Sequence, residues 1–186
     1  MRIISGIARG KKLQSPLTEA TQPTMDRAKE TLFNVLESWR LNEGKGWAQF
    51  SFVDVFAGSG AIGIEAWSRG VKAPVFIEKN QDALKILNQN LGAVGLKKVE
   101  AVDALNPPQG KPTSIIFMDA PYGKGLLSLA LKAFLQTGWI DDKTLIVVET
   151  DGLNPEAVPL NFVVLKKRKA GRNLFLFLKQ GENDEA

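Results

Sequence analysis

The sequence predicts a doubly wound α/β fold built around a mostly parallel sheet. Three observations favour it: apolar, β-rich runs alternate with amphipathic helical segments, a glycine-rich turn follows the first run, and the last two runs flank a short turn. We therefore predict a Rossmann-like, seven-stranded sheet with a C-terminal antiparallel hairpin, preceded by a small N-terminal β-hairpin plus helix extension.

The elements follow one another in a regular order along the chain. Short extended pieces around Gly6 and Gly10 predict a hairpin within residues 1–15, and residues 21–24 lead into a helix that ends near Arg40. Strands are expected at Phe50–Phe56, Ala73–Glu78, Val99–Val102, Ser114–Met118, Thr144–Glu149, Asn161–Arg168 and Asn173–Lys179, and helices at Ala61–Arg69, Gln81–Leu91 and Leu126–Thr137. This order divides the chain into an extension (1–44), a main domain (45–180) and a disordered tail (181–186).

Composition limits the chemistry that this chain can perform. Its 186 residues are 44% hydrophobic and include neither Cys nor His. Disulfides, thiolates, imidazole bases and the usual zinc sites are therefore excluded, which leaves carboxylates, amines, hydroxyls, backbone dipoles or an organic cofactor. No apolar run approaches the ~20 residues that span a bilayer, and the start has no signal-peptide core. We expect a soluble, cytoplasmic monomer without a metal.

The most informative motif is an apolar run that ends in Asp119-Ala120-Pro121-Tyr122. A strand here would bring a carboxylate, a backbone carbonyl and an aromatic ring to its carboxyl end. An exocyclic nucleobase amine could donate one hydrogen to Asp119 and the other to the Ala120 carbonyl while its base stacks on Tyr122. The alternative is an ordinary turn with a half-buried tyrosine.

A second motif lies about sixty residues earlier. Gly58-x-Gly60-x-x-Gly63 follows a predicted strand and opens a predicted helix, so a ligand can approach its backbone closely. The spacing also fits a nicotinamide dinucleotide site, but Asp54 puts an anion at the turn, which suits a sulfonium-bearing amino acid better than a pyrophosphate. A purely structural role for Asp54 stays open.

Acidic residues end four successive predicted strands: Asp54, Glu78, Asp103 and Asp119. Glu78 comes 20 residues after Gly58, where a second-strand acid reaches ribose hydroxyls, and Asp103 is placed to meet an adenine edge. Single acids at strand ends often cap the next helix, but four in succession favour one ligand site.

Positive charge is concentrated near the two ends of the chain. Nine of the 24 cations form two clusters, so the remaining 15 face 20 acids. Local basic patches suggest a nucleic-acid partner, although solvated surface is the alternative for either cluster. The clusters contain Arg2, Arg9, Lys11 and Lys12 at the start, and Lys166, Lys167, Arg168, Lys169 and Arg172 at the tip of the predicted hairpin.

These segments resemble class I S-adenosylmethionine-dependent methyltransferases that modify amino groups. The chain is most similar to the bacterial RsmD-like enzymes, which methylate the exocyclic N2 of a guanine in 16S rRNA. The resemblance covers nearly the whole chain. It includes the opening Met-Arg-Ile-Ile-Ser-Gly-Ile-Ala-Arg-Gly, the segment 23–34, the glycine turn from Asp54 to Ala66 and the site 119–122.

The resemblance implies a role for each matching residue. S-adenosylmethionine would lie with its methionine part on Asp54, Phe56, Ala57, Gly58, Ser59 and Gly60, its ribose on Glu78 and Lys79, and its adenine on Asp103 and Ala104, with Asp119 nearby. Asp119, Ala120, Pro121 and Tyr122 would hold the target guanine. The two basic clusters and Arg27 would bind the RNA, either free or in an assembling small ribosomal subunit.

Two positions depart from the family pattern. Ala120 replaces the first of two prolines, which keeps the accepting carbonyl but leaves the backbone less rigid, and Gln22 replaces an arginine. Other functions predict other features. A nicotinamide-dependent reductase would need a substrate domain, and enzymes that methylate DNA adenine or protein amides would need a target-recognition region. A noncatalytic RNA-binding factor on the same fold would tolerate Ala120.

Overall fold

The computed structural model describes residues 1–15 and 22–181. Within them lie four helices, α1 to α4, and six strands, β1 to β6. The helices are Gln22–Asn42, Ala61–Arg69, Gln81–Ala93 and Leu126–Gln136, and a short 3-10 turn covers Trp47–Gln49. The strands are Phe52–Val55, Val75–Ile77, Ile115–Met118, Leu145–Asp151, Phe162–Ala170 and Asn173–Gln180. The predicted tail at 181–186 lies, apart from Gly181, outside the described residues.

The strands form one sheet in the order β2-β1-β3-β4-β6-β5. Strands β1 to β4 are parallel, whereas β6 runs antiparallel to both β4 and β5. The order runs outward in both directions from β1, so ligands are expected at the carboxyl ends of the parallel strands. The predicted doubly wound fold and its closing antiparallel pair are confirmed.

The prediction of seven strands was wrong for the described residues, because Val99–Val102 does not form a strand. The Asn88 side chain on α3 accepts a hydrogen bond from the Val99 N–H (2.8 Å) and donates one to the Val99 carbonyl (3.0 Å). Val102 N–H reaches the Glu78 carbonyl (2.9 Å), which gives this segment one backbone bond at the end of β2. The Asn88 side chain therefore makes the backbone hydrogen bonds that a neighbouring strand would make in a sheet.

The predicted N-terminal hairpin is reduced to a loop closed by one antiparallel bridge, between Arg2 and Lys12. Its contacts to helix α2 are more extensive. The buried Glu65 carboxylate accepts hydrogen bonds from the Ile4 N–H (2.8 Å) and the Ser5 N–H (3.0 Å), and Ile7 N–H donates to the Ser68 carbonyl (2.8 Å). Residues 1–15 are thus fastened to α2 by polar contacts.

Each face of the sheet is covered by helices. On one face Phe52, Phe117 and Phe175 pack against α1 and α2, and on the other Val53, Ile116 and Val148 pack against α4. The alternation follows the two-residue period of a strand. Among the described residues, no helix has the length and apolar character needed to cross a membrane.

Candidate active site

Strand register brings three carboxyl groups to one side of the sheet. Asp54 on β1 pairs with Phe117 on β3, which pairs with Val147 on β4. Asp119 and Glu149 each come two residues later on their strands, so they project from the same face as Asp54, one step nearer the carboxyl edge. All three border a cavity of about 190 Å³, together with Met1, Ala28, Lys29, Phe56, Ala57, Gly58, Ser59, Ala61, Ile62, Phe117, Asn173 and Phe175.

The turn after β1 has an unusual backbone that opens it to a ligand. Phe56, Gly58 and Gly60 all have positive φ angles (60°, 56° and 76°), and Phe56 is a non-glycine residue in this sterically costly region. Gly58 N–H donates to the Glu78 carboxylate (2.9 Å). A Cβ at Gly58 would meet no atom nearer than 3.9 Å, whereas one at Gly60 would lie 2.4 Å from a Leu87 methyl group. Gly58 therefore presents bare backbone, and Gly60 is required by packing.

Asp54 has the structural role that the sequence left open, and its position is also compatible with ligand binding. Its side chain is buried, and one carboxylate oxygen accepts a hydrogen bond from the Gly63 N–H (2.8 Å), which fixes the start of α2. The same carboxyl group borders the cavity. Burial, together with the negative charges of Asp119 and Glu78, raises the pKa of Asp54 to about 8. Asp54 is the third of the four residues of β1, within the strand that the sequence predicted at Phe50–Phe56.

Asp119 follows β3 directly and is anchored by its backbone, because its N–H donates to the Val55 carbonyl (3.3 Å). Its side chain is open to solvent but lies in a cleft whose protein atoms desolvate it, which raises its pKa to about 7. Within residues 1–15 and 22–181, no group donates to the Asp119 carboxylate or to the Ala120 carbonyl. Both acceptors are therefore available to a ligand amine.

The rest of this motif is divided between core and surface. The Ala120 methyl group is buried, whereas Pro121 is exposed and the Tyr122 side chain is 44% exposed, so its ring is accessible to a planar partner. Desolvation and the negative charges of Asp119, Glu149 and Asp151 raise the pKa of Tyr122 well above its usual range. Tyr122 is therefore a neutral phenol that can stack and donate a hydrogen bond, not a base.

The predicted nucleoside residues lie further along the same edge. Glu78 accepts hydrogen bonds from Gly58 N–H and Asn80 N–H (2.9 and 2.8 Å), which leaves lone pairs for another donor. Asp103 accepts from Leu105 N–H (3.0 Å) and pairs with Lys79 (3.0 Å), and these contacts lower its pKa. Ala104 is buried, so only its backbone can face a ligand.

The basic residues are only partly brought together. Arg2, Arg9, Lys12 and Arg27 line one surface cavity of about 690 Å³, which also contains Asp26 and Glu30. Arg2 pairs with Asp26 (3.3 Å), and the Lys11 ammonium instead donates to the Ala93 carbonyl at the end of α3. Four of the five predicted N-terminal cations thus share a surface.

The second cluster does not sit at a hairpin tip, as the sequence had predicted. Lys166, Lys167, Arg168 and Lys169 lie along the edge strand β5, and the turn consists of Gly171 and Arg172. Lys166 and Arg168 lie opposite Phe177 and Phe175 of β6, on the sheet face that packs against α1. Lys167 and Lys169 lie opposite Leu176 and Leu174, on the other face. Arg172 pairs with Asp151 (3.2 Å). Strand alternation has therefore divided the cluster between two faces.

Sequence reasoning missed four residues that border the 190 Å³ cavity beside Asp54 and Asp119: Glu149, Asn173, Lys29 and Phe117. Glu149 could have been found, because it ends a predicted strand next in order to that of Asp119. Lys29 and Asn173 carried no such signal, since they reach the cavity only through packing of α1 and β6. Among the described residues, no three acidic side chains come close enough to hold a metal ion.

A doubly wound sheet with a glycine turn after β1 and an Asp-x-Pro-Tyr site after β3 defines a class I methyltransferase fold. Comparison agrees: the chain superposes on the solved structure of "Putative methyltransferase yhhF" from Escherichia coli with a TM-score of 0.76 and 29% identity, covering 98% of this chain and 99% of the other.

Sequence comparison identifies the family. Residues 1–179 match the family described as Conserved hypothetical protein 95. The chain is 34% identical to "Ribosomal RNA small subunit methyltransferase D" of Haemophilus influenzae, over 92% of this chain and 89% of the relative. It is also 34% identical to the protein of that name from Escherichia coli, over 99% and 93%. The chain therefore belongs to this family of methyltransferases. Membership of the family implies a methyl donor of the S-adenosylmethionine kind.

Proposed function

We propose that this protein transfers a methyl group from S-adenosylmethionine to the exocyclic N2 amine of a guanine in 16S rRNA, during assembly of the 30S subunit. One observation carries the proposal. The Asp119 carboxylate and the Ala120 carbonyl receive no hydrogen bond from any described residue, and they lie together directly after β3. Two adjacent acceptors match the two hydrogens of a planar amine. Family membership supports rRNA as the source of that amine.

The cavity fits the amino-acid end of the methyl donor. Its volume of about 190 Å³ is below the about 300–1,000 Å³ of whole small-molecule pockets, so the nucleoside would extend along the strand ends. Glu78 would accept the ribose hydroxyls, with Lys79 beside it, and Asp103 with the Ala104 backbone would meet the adenine. The methionine part would lie on Asp54, the exposed backbone of Gly58 and their neighbours Phe56, Ala57, Ser59 and Gly60.

The chain's own groups would position the acceptor amine. Bound S-adenosylmethionine supplies an electrophilic methyl group. The lone pair of a guanine amine is delocalised into the ring, and hydrogen bonds to Asp119 and the Ala120 carbonyl would localise it on nitrogen. Tyr122 would stack on the base with Pro121 shaping the turn, so that nitrogen, methyl carbon and sulfur lie in line. The surplus amine proton can pass to a carboxylate of the cavity, so no histidine is required.

The cation-lined surface would hold the RNA. Arg2, Arg9, Lys12 and Arg27 share one cavity, and Lys166 and Arg168 project from the sheet face that also bears the site. We assign lesser contributions to Lys11, Lys167, Lys169 and Arg172, because they face elsewhere or are engaged by other groups. Phosphate contacts of this kind position RNA without reading its sequence.

The chain organisation supports a compact enzyme. We propose that residues 1–44 form an extension packed on a methyltransferase domain of residues 45–180, supported by the Glu65 contacts to Ile4 and Ser5. The enzyme would act as a monomer. It would work in the cytoplasm, since ribosome assembly supplies its substrate there.

The proposal is tested by mass spectrometry of 16S rRNA from cells with and without the gene. Loss of one N2-methylguanine on deletion is expected, with return on complementation by the wild-type gene but not by Asp119→Ala. A matched Asp142→Ala variant changes an exposed loop carboxylate and should complement fully. An unchanged methylation map would overturn the enzymatic function. Assembly defects that Asp119→Ala rescues fully would instead indicate a noncatalytic RNA-binding factor.

A further inference from the structure

Glu149 has no part in the roles assigned above, yet it belongs to the same cavity. It lies on β4, next in the sheet to the strand that ends at Asp119, and it projects from the same face as Asp54. Three parallel strands thus each contribute one carboxyl group to this cavity. We call Asp54, Asp119 and Glu149 the carboxyl wall.

The position of Glu149 is fixed from the neighbouring antiparallel strand. The Asn173 side-chain amide on β6 donates a hydrogen bond to one Glu149 carboxyl oxygen. The other oxygen has no donor among the described residues. The amide therefore fixes the orientation of the Glu149 carboxyl group, and its second oxygen is available to a ligand in the cavity.

Positive side chains near the wall are engaged elsewhere, and the α-amino group of Met1, which also borders the cavity, forms no ion pair with the described residues. Lys29, on α1 above the cavity, is paired with Glu65 (3.4 Å) and donates to the Arg2 carbonyl. Arg172 is paired with Asp151, and Arg168 lies two strands away on the edge strand β5. The charged groups that face Glu149 from β1 and β3 are Asp54 and Asp119, so the wall is an uncompensated cluster of acids.

Uncompensated acids in one cleft cannot all ionise at neutral pH. Burial first, and then the charges of Asp119 and Asp54, raises the pKa of Glu149 well above its usual range. Burial also raises the pKa of Asp119, and it raises the pKa of Asp54 to about 8. With the cavity free of ligand, the wall therefore holds protons at pH 7.5. A cation in the cavity stabilises the ionised form and expels a proton.

Resting on the function proposed above, we propose that Glu149 determines ligand charge specificity. It makes the cavity prefer the methyl donor, whose sulfur is a cationic sulfonium, over the demethylated product, whose sulfur is an uncharged thioether, by exchanging a proton for the sulfonium charge. The charges balance around one cycle. Donor entry sends a proton from the wall to solvent. Transfer breaks the carbon–sulfur bond, leaves its electron pair on sulfur and forms the nitrogen–carbon bond. The amine then returns its surplus proton to the wall, and the thioether product dissociates.

Calorimetry with the purified protein tests this exchange. S-adenosylmethionine and S-adenosylhomocysteine are titrated at pH 7.5 in two buffers of different ionisation enthalpy, which gives the number of protons released. For the wild type we expect the donor, which carries a sulfonium and an α-ammonium group, to release more protons than the product, which carries the α-ammonium group but no sulfonium. Glu149→Gln should reduce the release and lower the donor-to-product affinity ratio about tenfold. Glu100→Gln, at an exposed and remote position, should match the wild type.

A pH series on the wild type provides a second test that needs no variant. The donor-to-product affinity ratio should rise between pH 7 and 9, as the carboxyl wall loses its protons. Above pH 9 the ratio should stay constant, because the wall is already ionised. A flat ratio, or an unchanged ratio in Glu149→Gln, would overturn the role of Glu149 while the methyltransferase function stands. If the wild type binds neither ligand, the proposed function itself fails, and the role of Glu149 fails with it.

Discussion

Glu65 and the carboxyl wall are acidic groups that this fold treats in opposite ways. Glu65 on α2 is fully buried and accepts from Ile4 N–H, Ser5 N–H and Arg69 (2.9 Å), with Lys29 3.4 Å away. The carboxyl wall lies on the sheet beside it and has no charged partner among the described residues. Glu65 is neutralised by the protein, whereas under our proposal the carboxyl wall would be neutralised by a ligand.

This difference separates structural from functional acids better than burial does. A buried charge that is fully paired fixes chain segments, here residues 1–15, α1 and α2. Buried acids without partners shift their pKa values upward and mark a site that expects a cation. Lys29 borders both regions, and desolvation lowers its pKa despite the pull of Glu65.

Removal of the compensated acid should have the largest effect on stability. Glu65→Ala would remove the ion-pair partner of the buried Lys29 and the acceptor of two backbone N–H groups, and breaking such a pair costs about 3–5 kcal/mol. Urea denaturation measures the change in the free energy of unfolding. Glu100→Ala, which is exposed, should change it by less than about 0.5 kcal/mol. Equal stabilities for the two variants would contradict the structural role of Glu65.

Removal of an uncompensated acid should affect activity and spare stability. Asp119→Ala deletes one of two acceptors for the amine, and loss of a preorganised site group lowers kcat about 10²–10³-fold, or about 2.7–4 kcal/mol in the barrier. Single-turnover methylation of 30S particles measures this rate, with Asp142→Ala as the control. Wild-type turnover in Asp119→Ala would show that the amine is held elsewhere.

The sequence predicted the parts of this site that rest on local backbone. The glycine turn, helix α2 at Ala61–Arg69 and the motif after β3 were all found, since each depends on residues adjacent in the chain. Glu149, Lys29 and the division of the β5 cations depend on which strands are neighbours and which face each residue takes. The strand prediction for Val99–Val102 was wrong for a similar reason, because the Asn88 side chain of α3 binds the Val99 backbone.

Neutralising the wall should raise stability in a pH-dependent way. In Asp54→Asn the amide oxygen can still accept from Gly63 N–H. An unfolded Asp ionises near pH ~3.9, whereas folded Asp54 ionises near pH 8, so between these values unfolding of the wild type releases a proton. The wild type should thus lose free energy of unfolding relative to Asp54→Asn as pH rises from 4 to 8, by at most about 1.4 kcal/mol per pH unit. Denaturation at several pH values measures this.

The control for that series is Asp82→Asn, since the Asp82 side chain is 91% exposed. Its stability curve should run parallel to that of the wild type at every pH. A wild type that gains stability over Asp54→Asn as pH rises would show that Asp54 is compensated, as Glu65 is.

The smallest effects should come from the surface cations of β5, which differ from Glu65 and the carboxyl wall because solvent screens their charges more strongly. Lys166 and Arg168 project from the sheet face that bears the carboxyl wall, whereas Lys167 and Lys169 project from the opposite face. RNA that delivers a guanine to the wall can reach the first pair, so replacing both by Ala should flatten the log-log salt dependence of RNA affinity by about 0.7–0.9 per lost phosphate contact. The Lys167→Ala/Lys169→Ala double variant is a matched control with the same charge change, and its slope should equal that of the wild type.

Both double variants should keep the free energy of unfolding within about 0.5 kcal/mol per substitution, because surface changes of this kind cost little. Equal flattening by both pairs would mean that RNA follows the edge of β5 and not the face of the sheet, and the division of the cluster by strand alternation would then have no bearing on docking.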